Sequence, residues 1–246
     1  MKSGMACTFA LLAAISAGCR VGGSFHTILQ TPRFVPQSVP DTTVDQGIGM
    51  DPATGGISLE WYSVPGAAGY KLFRSDSSVN RTPGDFTLLA NVGSLSSFND
   101  TAYVDNAGLH NNQRYFYYLL AYSADGVESG SSDTANYVIL QRPVISFPGQ
   151  NDSVHASHAQ FYWFDPTAGG YTVIKVKDVT QLPEEYTWVS HLFSSFSPDG
   201  NVQYDFDGTA TASLQPGHRY MVRVDRVNVG ANEGARSAWR GFYVEQ

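Results

Sequence analysis

Leu109-His110-Asn111-Asn112-Gln113-Arg114-Tyr115-Phe116-Tyr117-Tyr118-Leu119-Leu120-Ala121-Tyr122 reads as a turn feeding a long strand, with a leucine six residues ahead of the tyrosine that opens it. The chain uses the same arrangement again at Leu214-Gln215-Pro216-Gly217-His218-Arg219-Tyr220. Upstream of each copy stands a tryptophan, Trp61 or Trp163, followed nine or eight residues later by Tyr70 or Tyr171. Tyr70 precedes Tyr115 by 45 residues, and Tyr171 precedes Tyr220 by 49. Landmarks recurring in one order at nearly constant spacing mean one small fold used twice. Such a repeat specifies architecture and says little about a partner.

The length, 246 residues, suits two sandwich domains of about 100 residues each. Charged residues make up only 15% and aromatics 13%, against roughly 25% charged in an average globular chain. No stretch after the leader sustains a helical period, which points to an all-β protein. The net charge is −7, and loss of the leader's Lys2 takes it to −8. An acidic, lysine-poor chain is a poor ligand for a phosphate backbone, so nucleic acid is not an expected partner.

In the first half, Ile57 to Trp61 alternates apolar and polar, Val64-Pro65-Gly66 is turn chemistry, and Tyr70 to Arg74 starts the next strand. Phe86 to Val92, Tyr103 to Asp105, Tyr115 to Tyr122 and Ala135 to Leu140 supply the rest, with Asp125-Gly126 as a turn. Leu59-Glu60-Trp61, Gly69-Tyr70-Lys71-Leu72-Phe73-Arg74-Ser75, Tyr103-Val104-Asp105, the Tyr115–Tyr122 strand and Gly126-Val127-Glu128-Ser129 together resemble a fibronectin type III domain over nearly all of residues 41–140. The resemblance implies an immunoglobulin-like β-sandwich in which Trp61 fills the core. It also implies that Tyr115 is a corner tyrosine whose hydroxyl bonds back to the main chain.

The second half, residues 141–246, carries the same plan more loosely: Gln160 to Phe164, Tyr171 to Val176, Leu214 to Tyr220, Met221 to Val227 and Phe242 to Val244. It departs from the pattern between Thr180 and Asp207, where Tyr186, Trp188, His191, Phe193 and Phe196 crowd together. The connection Leu140-Gln141-Arg142-Pro143-Val144 is too short for a flexible linker, so the two domains are expected to meet at a semi-fixed angle.

Ahead of both repeats lies a targeting segment, residues 1–18. Lys2 is followed by an uncharged, mostly apolar run from Met5 to Ile15, too short to span a bilayer, and by Ser16-Ala17-Gly18 before Cys19. This resembles a bacterial lipoprotein signal, although Ser16 stands where a large aliphatic residue is usual. The resemblance implies cleavage and diacylation at Cys19 and a place in the cell envelope, with the outer membrane as default. An ordinary secreted protein is the alternative. The only other cysteine, Cys7, falls inside the leader, so no internal disulfide is expected. Residues 19–40, punctuated by Pro32, Pro36 and Pro40, read as an extended tether of about 60 Å; a tail packed along the first domain is the other reading.

Candidates for chemistry are few. His155-Ala156-Ser157-His158 lacks a partner segment for a metal, and both histidines read as solvated. Asp199-Gly200-Asn201 and Asp205-Phe206-Asp207-Gly208 read as turns rather than a calcium loop. Paired carboxylates, nucleophile elbows, zinc-protease helices and phosphate loops do not stand out, so neither an enzyme nor a cofactor is expected. The expected role is a spacer or protein-interaction subunit of an envelope assembly. A carbohydrate-binding or adhesion module is the alternative. Trp188, Phe193, Phe196 and Trp239 are the candidate partner-binding residues, because aromatics dominate interfaces and can stack on sugars. They can equally cover their own core, and Trp239 can lie on a sheet edge.

Overall fold

The computed structural model describes residues 28–37, 45–76, 85–93, 101–167, 170–193, 199–228 and 232–246. The leader, Cys19 and Phe196 lie outside the described residues. The fold is all-β. In the first half the strands are β1 (Gly49–Met50), β2 (Ile57–Glu60), β3 (Gly69–Asp76), β4 (Thr87–Val92), β5 (Ala102–Asp105), β6 (Arg114–Tyr122) and β7 (Ala135–Ile139). The second half holds β8 (Val144–Phe147), β9 (Asp152–Val154), β10 (Gln160–Phe164), β11 (Tyr171–Asp178), β12 (Glu185–Phe193), β13 (Asp199–Gln203), β14 (Arg219–Asn228), β15 (Glu233–Arg236) and β16 (Arg240–Val244).

Each half is a sandwich with the same strand plan. One sheet runs β1-β2-β5 in the first half and β13-β10-β8 in the second; the opposing layer runs β4-β3-β6-β7 and β12-β11-β14-β15. These are the three- and four-stranded layers of a fibronectin type III-like, immunoglobulin-type fold. Alternation explains the burial. Ile57 and Leu59 are fully buried while Ser58 and Glu60 between them are not, and Phe161 and Trp163 point in while Tyr162 and Phe164 point out. Each fully buried large apolar side chain contributes about 1.5–3 kcal/mol. Trp61 and Trp163 sit in their respective cores. Both corner tyrosines are buried and accept a main-chain hydrogen bond from five residues upstream: His110 N–H to Tyr115 Oη at 2.7 Å and Gln215 N–H to Tyr220 Oη at 2.9 Å.

A polar staple joins the two layers of the first sandwich. Asp105, fully buried at the end of β5, accepts from Arg74 Nη1 on β3 at 2.9 Å and from the Tyr117 hydroxyl on β6 at 2.8 Å. Burial opposes the charge on Arg74, but Asp105 outweighs it and raises the guanidinium pKa.

Two expectations are corrected. Residues 28–37 are not free tether. Leu29 is buried in the first core, Phe34 bridges to Trp61, Val35 N–H donates to Glu60 O at 2.9 Å, and Tyr62 N–H donates to Arg33 O at 3.0 Å. The segment is bridged to the chain at the end of β2. Nor is Thr180 to Asp207 a break in the plan, since it contains β12 and β13, the counterparts of β4 and β5. Asp199-Gly200-Asn201, expected as a turn, lies on β13, paired with Phe164, Trp163 and Tyr162.

The reason for the disguise is Trp163. A Cβ on Gly200 would stand 2.1 Å from the indole Cε2, so the position directly across from the tryptophan has to be glycine. Gly200→Ala is expected to cost about 2 kcal/mol through displacement of a packed indole. Denaturant unfolding followed by tryptophan fluorescence checks this, and an unchanged midpoint would show that the strand can shift freely.

Candidate functional site

The aromatic cluster expected between Tyr186 and Phe206 resolves into core and surface. Trp188, 1% exposed, belongs to the second core. Its ring meets Tyr204 edge-on at 5.3 Å and Phe206 at 6.0 Å. Its Nε1–H reaches Asp207 Oδ1 at 3.0 Å and Thr209 Oγ1 at 3.1 Å. Trp188 is therefore corrected from candidate contact to core residue: it points inward from β12, as Val176 does from its partner strand β11. Asp207 also accepts from Ser190 Oγ at 2.5 Å, and Asp205 Oδ1 from Ala210 N–H at 2.8 Å, so these carboxylates fasten the turn. Burial works against the Asp207 charge, but these donors outweigh it and lower its pKa. Phe193 ends β12, paired with Tyr171.

Trp239 is half-buried on the connection between β15 and β16. Lys177 Nζ stands 4.5 Å and Arg223 Cζ 4.7 Å from its ring centre, with the Tyr186 ring 6.3 Å away. Cation–π contacts of this kind hold the indole down on the outer face of β11 and β14. Its ring is thus already engaged within the chain.

That outer face leads to the most unusual arrangement in the molecule. Lys175 on β11 and Arg223 and Asp225 on β14 alternate with the core residues Ile174, Val176, Val222 and Val224, which puts them on the side away from the core. All three are nevertheless buried. The cover comes from the first half of the chain: Asp45 Oδ1 meets Lys175 Nζ at 2.9 Å, and Asp45 Oδ2 meets Arg223 Nη1 at 2.6 Å. Arg223 also forks onto Asp225 at 2.7 and 2.6 Å. Arg236 joins from β15, 3.5 Å from Asp45 and 3.9 Å from Asp225, and donates to the Met50 carbonyl at 2.9 Å. Burial opposes the Asp45 charge, yet the Arg223 hydrogen bond and the charges of Arg236, Arg223 and Lys175 hold its carboxyl well below the usual carboxylate range. Burial pulls Lys175 down despite Asp225 and Asp45. A cavity of about 20 Å³ beside Asp45, Lys175 and Asp225 has room for about one water.

Beside the charges, the two sandwiches share backbone. β15 pairs in parallel with β7, Glu233 opposite Val138 and Gly234 opposite Ile139. Val138 N–H donates to Asn232 O and Leu140 N–H to Gly234 O, both at 2.9 Å. The result is one ten-stranded sheet through both halves. Ala235 packs into the first core. At Gly234 a Cβ would lie 2.6 Å from the Arg226 carbonyl and 2.9 Å from the Tyr137 hydroxyl, so the strands approach this closely only with glycine there. Burial pushes the Tyr137 phenol up to about 12. The short connection adds to the joint, with Arg142 Nε donating to Arg236 O at 2.9 Å and Nη2 to Pro52 O at 2.5 Å.

Other candidates carry less. His155 and His158 are exposed around a short 3₁₀ turn, with Ser157 Oγ within 2.9 and 2.7 Å of their Nδ1 atoms. An open depression of about 330 Å³ is lined by Asp178, Thr180, Leu182, Pro183, Glu185 and His218. It holds a His218 Nδ1–Asp178 Oδ2 pair at 2.7 Å. The Thr180 hydroxyl there accepts from Arg219 N–H at 2.9 Å and so is committed to the main chain. No group of three or more metal-ligating side chains occurs among the described residues. No helix among them is long and apolar enough to cross a membrane.

Sequence reasoning missed the Asp45 cluster. Its only trace was three charges at alternate positions in apolar strands, because Asp45 lies 130 residues from Lys175 and 178 from Arg223.

No family model matches the chain, and no curated protein does. Among solved structures, a Fn3-like protein from Clostridium thermocellum is 24% identical, covering 47% of this chain and 94% of its own, with a TM-score of 0.32. The FN1–FN3 domains of chicken CNTN1 are 10% identical, covering 88% of this chain and 68% of theirs, with a TM-score of 0.28. The fibronectin type III-like fold rests on the strand order of the two sandwiches.

Asp45→Asn leaves three cations facing one carboxylate. It is expected to destabilise the protein by about 2–4 kcal/mol, the lower side of breaking a buried pair, because Asp45 is partly exposed. A carboxyl with a depressed folded pKa contributes stability that is present above its unfolded value of about 3.9 and is lost as the pH falls below it. Urea titrations from pH 7 to pH 3 should therefore show the difference between wild type and Asp45→Asn shrinking towards acid. A difference independent of pH would remove the ionic account of the joint.

Proposed function

We propose that this chain is a non-enzymatic envelope lipoprotein, anchored through lipid on Cys19, that presents its two sandwiches as one stiff spacer or interaction subunit of a surface or membrane assembly. The observation that carries this reading is the joint. A continuous sheet and a buried ion cluster remove the freedom between the two halves, which suits holding a surface at a set orientation and offers no hinged cleft for chemistry. An acid–base pair in an open depression, His218 with Asp178, sits beside a hydroxyl already bonded to backbone. The Clostridium and chicken proteins to which the chain is similar are named for fibronectin-type domains, and no activity follows from their names.

Packing of residues 28–37 on the first sandwich shortens the proposed tether. Arg20 to Thr27 is eight residues, which reach at most about 28 Å when fully extended. The sandwiches are thus held near the membrane rather than about 60 Å away. Two or more acyl chains give stable anchoring where one gives marginal binding. The outer membrane remains the proposed site.

Cys19→Ala is expected to move the protein from the membrane pellet to the soluble fraction when cells are fractionated. If that variant stays with the membranes after a high-salt wash, the lipid anchor is wrong. Native co-purification of the wild type from detergent extracts then identifies the assembly.

A further inference from the structure

We propose that the outward face of the β8-β10-β13 sheet is a binding platform for a neutral, extended polysaccharide. With the other sheet of the second sandwich joined to the first half, this sheet keeps a free face. Tyr162 and Phe164 stand on its central strand, 44% and 45% exposed. Phe147 lies opposite Tyr162 and Val144 opposite Phe164, both also exposed. Phe147 and Tyr162 meet edge-to-face at 5.9 Å, which fixes the two rings against each other.

On the other side of the stripe, β13 places Asn201 opposite Tyr162 and Gln203 opposite Gln160. Both are exposed, and Gln160 Nε2 lies 3.5 Å from Gln203 Oε1. Planar amides offer donors and acceptors side by side, as sugar hydroxyls require, while aromatic rings accept the apolar C–H face of a pyranose. Asp199, which has its own partner, stands at one end of the stripe opposite Phe164, and the middle positions Tyr162, Asn201 and Phe147 are uncharged, which suits a neutral polymer.

Repetition of the fold supplies an internal control. Glu60, just before Trp61, occupies the plan position of Tyr162, just before Trp163. Tyr62 corresponds to Phe164, and there Arg33 lies over the ring at 5.8 Å. Tyr62 is itself 49% exposed, so the first copy keeps one outward ring here and has Glu60 in place of the other. Among the described residues only the second copy pairs two outward rings, with Asn201 beside them and Gln203 fixed by its bonds to Ser157 O and Gln160.

Size decides against a protein. Three strands at about 4.8 Å spacing and five residues at about 3.4 Å give a patch about 10 by 14 Å. A stable protein interface needs about 800 Å² on each partner, several times more. A flat face suits an extended glycan lying across it better than a small ligand.

The test uses the full chain in detergent, incubated with insoluble chitin, cellulose and peptidoglycan sacculi. Retention is expected on at least one. Chitin and sacculi without cellulose would assign the N-acetylated backbone, and cellulose alone the unsubstituted one. Tyr162→Ala and Phe164→Ala should each weaken retention about tenfold with an unchanged melting temperature, since both side chains are exposed. Tyr162→Phe should stay within about threefold, and Leu182→Ala, exposed elsewhere, should change nothing. The idea is overturned if the wild type is retained on none of the three, or if both alanine variants bind as well as wild type. A monomer–dimer equilibrium abolished by Phe164→Ala, with polysaccharide retention unaffected, would overturn it in favour of a second copy. This inference adds a ligand to the presentation reading, and fractionation of Cys19→Ala tests that reading separately.

Discussion

A strand at the end of a sheet leaves a row of N–H and C=O groups unpaired, and the whole organisation here follows from how β7 meets that constraint. A sandwich normally shields its last strand with charge, brevity or a bulge. In this chain β7 hands its free edge to β15, the first part of the corresponding strand in the second half. Both copies break this last strand, at Ser132 in the first and Ser237 in the second, and in the second the part before the break is long enough to pair as β15. β15 pairs with β14 on one side and β7 on the other; then Ser237–Trp239 carries the chain across, and β16 returns to β14 and takes β9 as its outer neighbour. The crossing is fastened by Ser237, whose N–H donates to Val224 O and whose hydroxyl receives Val224 N–H. Trp239 sits at this crossing, which explains why it is held by Lys177 and Arg223 rather than free.

Once the two edges are joined, the segment preceding β1 runs over the outer face of β11 and β14, and the charges there are taken out of water. Ion pairs of this kind contribute little net stability compared with an apolar replacement, because desolvation offsets most of the attraction. Their effect is on alternatives. Any other docking of the halves would strand Lys175 and Arg223 without Asp45, at a cost of several kcal/mol. Hydrogen bonding along β7 and β15 sets the spacing of the two sandwiches, and the ion cluster selects one register and tilt. Arg226 with Asp165, at 3.1 Å, is a second buried pair on β14, made within the second half.

How much of this was legible depended on whether the signal was local. Corner tyrosines and core tryptophans declare themselves because their partners lie within a few residues, as His110 does for Tyr115. The strands β2, β3, β6, β10 and β14 follow from alternation. β13 did not, because Asp-Gly-Asn is turn chemistry unless something removes the space for a side chain, and that something is Trp163 on another strand. Trp188 could not be assigned to core or surface because its strand was not recognised, and without a strand there is no inside or outside. Phe34 between Pro32 and Pro36 looked like tether for a similar reason: its partner, Trp61, is 27 residues away. The Asp45 cluster was unreadable, since neither charge pattern names the other.

The same accounting says where a partner can still bind. The four-stranded layers of both sandwiches are joined edge to edge, and part of the second one's outer face is roofed by Asp45 and Trp239. The three-stranded sheets lie outside this joint. In the first, the outward positions beside the core tryptophan hold Ser58 and Glu60 opposite Val104 and Ala102, and Tyr62, whose exposed ring lies under Arg33. In the second they hold Gln160 and Tyr162 opposite Gln203 and Asn201. Both sheets support equivalent cores, so packing cannot be the reason for the difference. Exposed aromatic surface carries a solubility cost, and the second copy has two adjacent outward rings, Tyr162 and Phe164, where the first has Glu60 and Tyr62, which makes this sheet the better placed of the two to serve a ligand.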